Sequence, residues 1–262
     1  MLLKNMLIFL MAILLGSCGS INIADCSYRG FLKALVHCSQ PTDDEKAMLA
    51  LNAGDAETAQ AILEPLIAAH PLDYFRYPRL AAAYALQASV DVLTIATSNQ
   101  GGSDSESSSG GSPLQSIGKF LPTATRENLP EYKVKVGLLN QAKNLLLSIP
   151  DEVRGDASIA YSGSAAFQLL LYQLSYSIMF MNQFTIPIST DSKALDPSIL
   201  ASMTTEDATN ILSNLSDALD VAGAISPENS EKIKDVLSTL NTQDGQDNRE
   251  KLMNYLQQHP QQ

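Results

Sequence analysis

Three cysteines (Cys18, Cys26, Cys38) and three histidines (His37, His70, His259) carry most of the metal-ligating and soft-nucleophile capacity of this 262-residue chain. No histidine has a second histidine at metal-binding spacing, and Cys26 and Cys38 belong to no paired Cys motif, so no metal site is expected. Tyr161-Ser162-Gly163-Ser164 is not a Gly-x-Ser-x-Gly elbow. Gly101-Gly102 and Gly110-Gly111 do not sit between a strand and a helix, as a phosphate or dinucleotide loop requires. Asp244-Gly245-Gln246-Asp247 lacks the further oxygen ligands of a calcium loop. Carboxylates are plentiful, yet none is marked as half of an acid–base pair. Arg154-Gly155-Asp156 matches an adhesion tripeptide and is read as coincidence. The chain is expected to be non-enzymatic, with no cofactor and no metal. The chemistry that remains belongs to the cysteines.

Cys18 follows a run that explains it. Lys4 supplies a positive charge, and Met6 to Leu15 is an unbroken apolar stretch. That stretch is well short of the roughly 20 residues a spanning helix needs and fits the apolar region of an export signal. It ends in Leu15-Gly16-Ser17-Cys18, which resembles the lipobox of bacterial lipoproteins. The resemblance implies cleavage after residue 17 and transfer of a diacylglyceryl group to the Cys18 thiol. Two or three acyl chains then make a firm tether, where one alone would hold only marginally. Gly19 after the cysteine implies sorting to the outer membrane, with the periplasmic face favoured.

The same resemblance sets the remaining thiols apart. With Cys18 lipidated, Cys26 and Cys38 form an even pair in an oxidising compartment, and a disulfide is expected. A continuous helix of 12 residues spans about 18 Å, whereas a disulfide needs Cα atoms within about 7 Å. The chain must therefore reverse between them, near Gly30. The alternative is two unpaired thiols near the tether.

Composition limits the partners. The chain carries 17 basic and 28 acidic residues, net −11. Residues 1–17 contribute only Lys4, so the exported part is at about −12 and repels nucleic acid and anionic lipid headgroups. No nucleic-acid partner is expected, and the membrane contact falls to the lipid. Prominent Ala and Leu with no Trp favour packed helices. The expected fold is all-α: an array of helical hairpins packed around a central apolar helix.

The hairpins lie in residues 44–97. Asp44 to Ala88 reads DEKAMLALNAGDAETAQAILEPLIAAHPLDYFRYPRLAAAYALQA. Gly54-Asp55 divides two apolar-periodic segments. Ala59, Leu63 and Leu66 share one helical face, Pro71 stops the second helix, and Leu80, Ala81 and Tyr84 open the inner face of a third. The pattern resembles the tetratricopeptide repeat, a 34-residue helix–turn–helix unit. Ala47 and Ala81 stand 34 apart at its small position, Gly54 at its turn, Ala59 at its close-packing alanine, and Pro71 at its terminal proline. The match spans residues 44–88. It then fails at Ala88, Leu93 and Thr97, where a turn glycine, a small alanine and a large apolar residue would stand.

The other segments supply length and core. Residues 18–43 read as a lipid tether and one short helix, Phe31 to Cys38. Residues 98–112, SNQGGSDSESSSGGS, read as a flexible Gly/Ser loop within one helical domain. Residues 113–262 read as its helical remainder. There, a helix from Asn128-Leu129-Pro130 to Ser148 uses Val134, Leu138, Leu145 and Leu146. No charge occurs from Ala157 to Thr190. Gln168, Gln173, Asn182 and Gln183 speak against a membrane span, since each would need a partner in lipid. Phe167, Leu171, Leu174, Ile178 and Phe180 or Met181 are expected to carry the packing of this helix as core, or to line an apolar groove. Further helices are expected after Asp196-Pro197, after Thr204 with Asp207 as a capping box, after Ser226-Pro227 and over Leu252 to Leu256.

Two functions fit. One is a non-enzymatic, membrane-anchored scaffold in the periplasm or cell envelope, with Tyr74, Tyr77 and Arg79 as candidate contacts for an unknown protein partner. The alternative is a periplasmic small-molecule or lipid-binding component associated with a transporter.

Overall fold

A computed structural model of the chain describes residues 41–91, 94–95, 117–189, 192, 194–225, 227–245 and 247–258. The signal segment, Cys18, the Cys26–Cys38 pair and the stretch 98–112 lie outside those residues. Within them the fold is all-α, as expected, apart from a single bridge between Pro187 and Leu195. Asp43–Gln262 make up one compact unit.

The first two helices are α1 (Asp43–Asn52) and α2 (Ala56–Ala69). Three acids in the first turn of α1 suit its N-terminal dipole. Gly54 adopts φ +76°, and the Asp55 and Gly54 amides donate back to the Ala50 and Leu51 carbonyls at 2.9 and 3.0 Å. This is a Schellman closure, in which a left-handed residue beyond the helix satisfies its orphan carbonyls. Asp55 then caps α2 by accepting from the Thr58 amide at 3.1 Å. Ala47, Ala59 and Leu63 are fully buried in the resulting hairpin, while Leu66 is half-buried. The helix ends before Pro71, with His70 as its exposed C-cap. Pro65 sits inside α2 without ending it. It and Ala61, whose carbonyl it leaves without a donor, are both exposed, so water can take that acceptor.

A 3-10 turn (Tyr74–Arg76) leads into α3 (Tyr77–Gln87). Leu80, Ala81, Ala83 and Ala85 are buried, with Tyr84 half-buried beside them. The failed match at Ala88 has a local cause: the turn comes one residue later. Ser89 takes φ +62°, and the Val90 and Ser89 amides return to the Ala85 and Leu86 carbonyls at 2.8 and 2.9 Å. The same closure as at Gly54 is built with a serine, which tolerates the left-handed region less well than glycine.

The remaining helices are α4 (Leu129–Leu147), α5 (Asp151–Arg154), α6 (Ser162–Asn182), α7 (Pro197–Ala201), α8 (Thr205–Ile225), α9 (Pro227–Asn241) and α10 (Asn248–Gln258). Each long helix packs on the next in chain order, α1 on α2, α2 on α3, α3 on α4, α4 on α6, α6 on α8, with α9 and α10 against α8. Their starts follow from local chemistry. Asp196 caps α7 by accepting from the Ser198 amide at 2.9 Å. Thr204 and Asp207 bond reciprocally, 2.8 and 3.1 Å, as a capping box for α8. Ile211, Leu215 and Ala222 of α8 are fully buried.

Helix α4 keeps the expected Leu146 as core, with Leu138 and Leu145 half-buried beside it, but not Val134. Val134 is 63 % exposed. The buried face is Tyr132, Val136, Leu139, Ala142, Lys143 and Leu146, also at helical spacing but on the neighbouring arc. Helix α6 is central: 14 of its 21 residues are buried, and it packs against α3, α4, α5 and α8. No helix of the described residues is long and apolar enough to cross a membrane.

The two turns give opposite expectations. Gly54→Ala forces a side chain into the left-handed region and should cost about 1 kcal/mol. Ser89→Gly relieves the same conformation and should gain about 0.5–1 kcal/mol. Thermal denaturation of both variants checks this; a loss of stability in Ser89→Gly would contradict the assigned turn.

Candidate functional site

A charge cluster holds the ends of α1 and α3 together. Asp44, in the first turn of α1, accepts from Arg76 Nε at 3.0 Å and Nη2 at 2.8 Å. Arg79 Nη1 approaches the same carboxylate at 3.5 Å. Asp73 takes the other Arg76 nitrogen, Nη1, at 2.7 Å. The Arg76 hydrogen bonds, with both guanidinium charges, hold the Asp44 carboxyl below its ordinary pKa although partial burial opposes them. The Phe75 ring lies under both cations, 4.8 Å from the Arg76 guanidinium carbon and 5.3 Å from that of Arg79. Such contacts fix a long side chain that would otherwise sample many rotamers.

Arg79 thereby becomes one edge of an open groove of about 540 Å³. Its apolar wall comes from Leu51 at the end of α1, Phe75, and Pro78, Ala82 and Leu86 on one stripe of α3. Its other wall is α6, whose Ser164, Gln168 and Tyr172 follow at four-residue spacing and so share a face. Asn52 and Asp91 complete the polar lining. Val90, placed by the Ser89 turn, closes one end.

The α6 wall carries unmet hydrogen-bonding capacity. Tyr172 is fully buried, and its hydroxyl has no partner among the described residues. Burial pushes that phenol well above its usual pKa, so it stays a neutral donor. Gln168 Oε1 is likewise buried without a donor, its amide nitrogen lying 3.4 Å from Ser164 Oγ. A buried polar atom without a partner costs roughly 1–3 kcal/mol. Both atoms are sealed from solvent in the free chain, on residues that line one groove.

The residues singled out from the sequence separate. Arg79 lines the groove. Tyr74 is half-buried, with its ring 5.5 Å from that of Tyr77. Tyr77 is corrected from contact residue to core: it is only 7 % exposed, and its hydroxyl donates to the Pro71 carbonyl at 2.8 Å. Leu171, Leu174, Ile178 and Met181 are buried in the main core and do not line this groove, because the open face of α6 lies on the other side of the helix. Phe167 is 37 % exposed rather than packed. Sequence reasoning missed Asn52, Phe75, Gln168 and Tyr172. The signal for the last two was the four-residue spacing of polar groups within an otherwise apolar helix.

A second buried polar group lies deeper. Lys143 of α4 donates to Asn214 Oδ1 of α8 at 2.6 Å and sits 4.5 Å over the Tyr176 ring. Burial holds its ammonium below the ordinary lysine range, with Asp217 opposing. No cluster of three or more histidine, cysteine or carboxylate side chains that could hold a metal occurs among the described residues.

No protein-family model, curated protein or solved structure matches this chain. Its function rests on the sequence and the groove.

Tyr172→Phe removes an unpartnered hydroxyl and should stabilise the free chain by about 1 kcal/mol, a rise of roughly 2–4 °C in Tm for a chain of this size. A fall in Tm would show that the hydroxyl is already bonded in the free protein.

Proposed function

We propose that this protein is an exported, lipid-anchored scaffold that holds an extended segment of a partner protein in the groove between α1, α3 and α6. The observation that carries the reading is the groove itself: an apolar wall, a fixed guanidinium at its edge, and unpartnered Tyr172 and Gln168 opposite. An extended peptide has both an N–H and a carbonyl at every non-proline residue. Gln168 Oε1 suits the first and the Tyr172 hydroxyl the second, once a small side-chain movement in the α6 wall uncovers them. Apolar side chains of the segment would lie on Leu51, Ala82 and Leu86, and an acidic one would reach Arg79.

Packing in the first three helices supports a tetratricopeptide-like origin of this surface. Ala47, Ala59 and Ala81 are fully buried at the helix contacts, and Gly54 turns the chain between α1 and α2. Stacking of each helix on its sequence neighbour is how repeat proteins expose one long surface. The anchor is inferred from Leu15-Gly16-Ser17-Cys18 and the apolar run before it. By the same resemblance, Gly19 favours the outer membrane, with the periplasmic face.

Two experiments test the parts separately. Radiolabelled palmitate should incorporate into the natural chain and not into Cys18→Ser, which should be released from the membrane fraction. Label retained by Cys18→Ser would dispose of the anchor. A photocrosslinking residue in place of Ala82 should give one discrete adduct in intact cells, lost when Leu86→Lys is added. Replacement of Leu72, which is 76 % exposed and outside the groove, should give none. Identical adducts from both positions would overturn the groove as the partner site.

A further inference from the structure

A second groove, of about 620 Å³, opens beside the C-terminal half of α6. Its volume falls within the roughly 300–1,000 Å³ of small-molecule sites. One wall is an aromatic ladder four residues apart: Tyr176 and Phe180 on α6, and Phe184 in the turn just past its end. Tyr176 and Phe180 stack at 5.5 Å and 18°, and Phe180 meets Phe184 edge-on at 5.8 Å and 81°. The facing wall is α4, where Val136 is followed by Gly137. A Cβ on Gly137 would meet nothing within 4 Å, so the glycine leaves open space in a helix that gains nothing from having it there.

The polar groups at this groove divide into spent and unspent. The Ser198 and Ser202 hydroxyls donate to Asp196 and to the Ile199 carbonyl at 2.7 and 2.6 Å. Asp207 accepts from the Thr204 amide and hydroxyl, both at 2.8 Å. Lys133, by contrast, is exposed and makes no ion pair among the described residues. Gln183 is 7 % exposed, and its Nε2 has no acceptor among those residues. The unspent groups are the Lys133 cation, the Gln183 amide donor and the half-buried Asn140 amide, and the first two call for an anionic acceptor. The aromatic ladder calls for an apolar body.

We propose that this groove binds a small carboxylate with an apolar aryl or acyl body. The carboxylate accepts from Lys133 and from the Gln183 amide, and the body lies along Tyr176, Phe180 and Phe184 over the space left by Gly137. The site is separate from the α1–α3–α6 groove and shares no lining residue with it. It stands whether or not a protein partner binds there.

Calorimetric titration of the purified full chain with 4-phenylbutyrate, octanoate and the neutral 4-phenylbutanol tests it. Either carboxylate should saturate the chain at one per molecule, the better of the two showing whether the body is aryl or acyl, and the alcohol should bind at least tenfold more weakly. Lys133→Gln should raise the carboxylate Kd about tenfold and leave the alcohol unchanged. Gly137→Leu, whose Cβ meets nothing within 4 Å, should abolish binding of all three while circular dichroism shows unchanged helix content. Equal affinity for alcohol and carboxylate, natural affinity in Gly137→Leu, or no saturation by millimolar carboxylate would each overturn the proposal. An effect of Lys133→Gln on the alcohol equal to that on the acid would also overturn the assigned role of Lys133.

Discussion

An uncharged helix with two-thirds of its residues buried sets the terms for the rest of this fold. From Ala157 to Thr190 the chain has no ionised side chain, so α6 has no charged face to turn to water. Each fully buried leucine, isoleucine or methionine contributes roughly 1.5–3 kcal/mol when shielded. The shield is assembled from α3, α4, α5 and α8, which explains why helices far apart in sequence share one core. The hairpin of α1 and α2 adds a smaller core of its own, mostly alanine, beside α3.

That central burial is bought with polar loose ends. Gln173 is 1 % exposed, with neither amide atom bonded among the described residues, and Ser175 is fully buried in the same state. Ser177 avoids it by donating to the Gln173 carbonyl at 2.9 Å. Lys143 reaches in from α4 and bonds Asn214, so even a charge is accommodated near α6. A helix built only for packing would carry leucine at such places. The unmet groups on residues that line an opening, those of Tyr172, Gln168 and Gln183, are the ones proposed to bind. Gln173 and Ser175 line neither groove, and nothing in the structure explains them.

What the sequence made legible was whatever local chemistry decides. Gly54 and Asp55 announce a turn and a cap because both acts involve residues within a few positions. Asp196 before Pro197, and Thr204 with Asp207, announce helix starts for the same reason. Choices between faces were harder. In α4, the expected stripe of Val134, Leu138, Leu145 and Leu146 is as good on paper as the buried one of Tyr132, Val136, Leu139 and Leu146, and the two share Leu146. Lys143 disguises the second stripe, because a lysine at a core position is rare without a partner, and its partner Asn214 lies 71 residues away. The grooves were least legible of all. Each needs two helices brought side by side, and no spacing within one helix reveals that Leu86 faces the same opening as Gln168.

Packing in chain order also bears on how this protein reaches its fold. Contacts between sequence neighbours close short loops first, which lowers the entropy each step must overcome and favours rapid assembly. Stability in such a stack is unequal along its length. The α1–α2 hairpin touches the rest chiefly through α3, whereas α6 is enclosed on several sides. Amide hydrogens of α1 therefore exchange through opening of that end alone, while those of α6 wait for the whole stack to come apart. Leu51 and Asn52 belong to the hairpin that opens first, so the wall they supply to the groove is also the part of the stack free to yield as a long segment threads in.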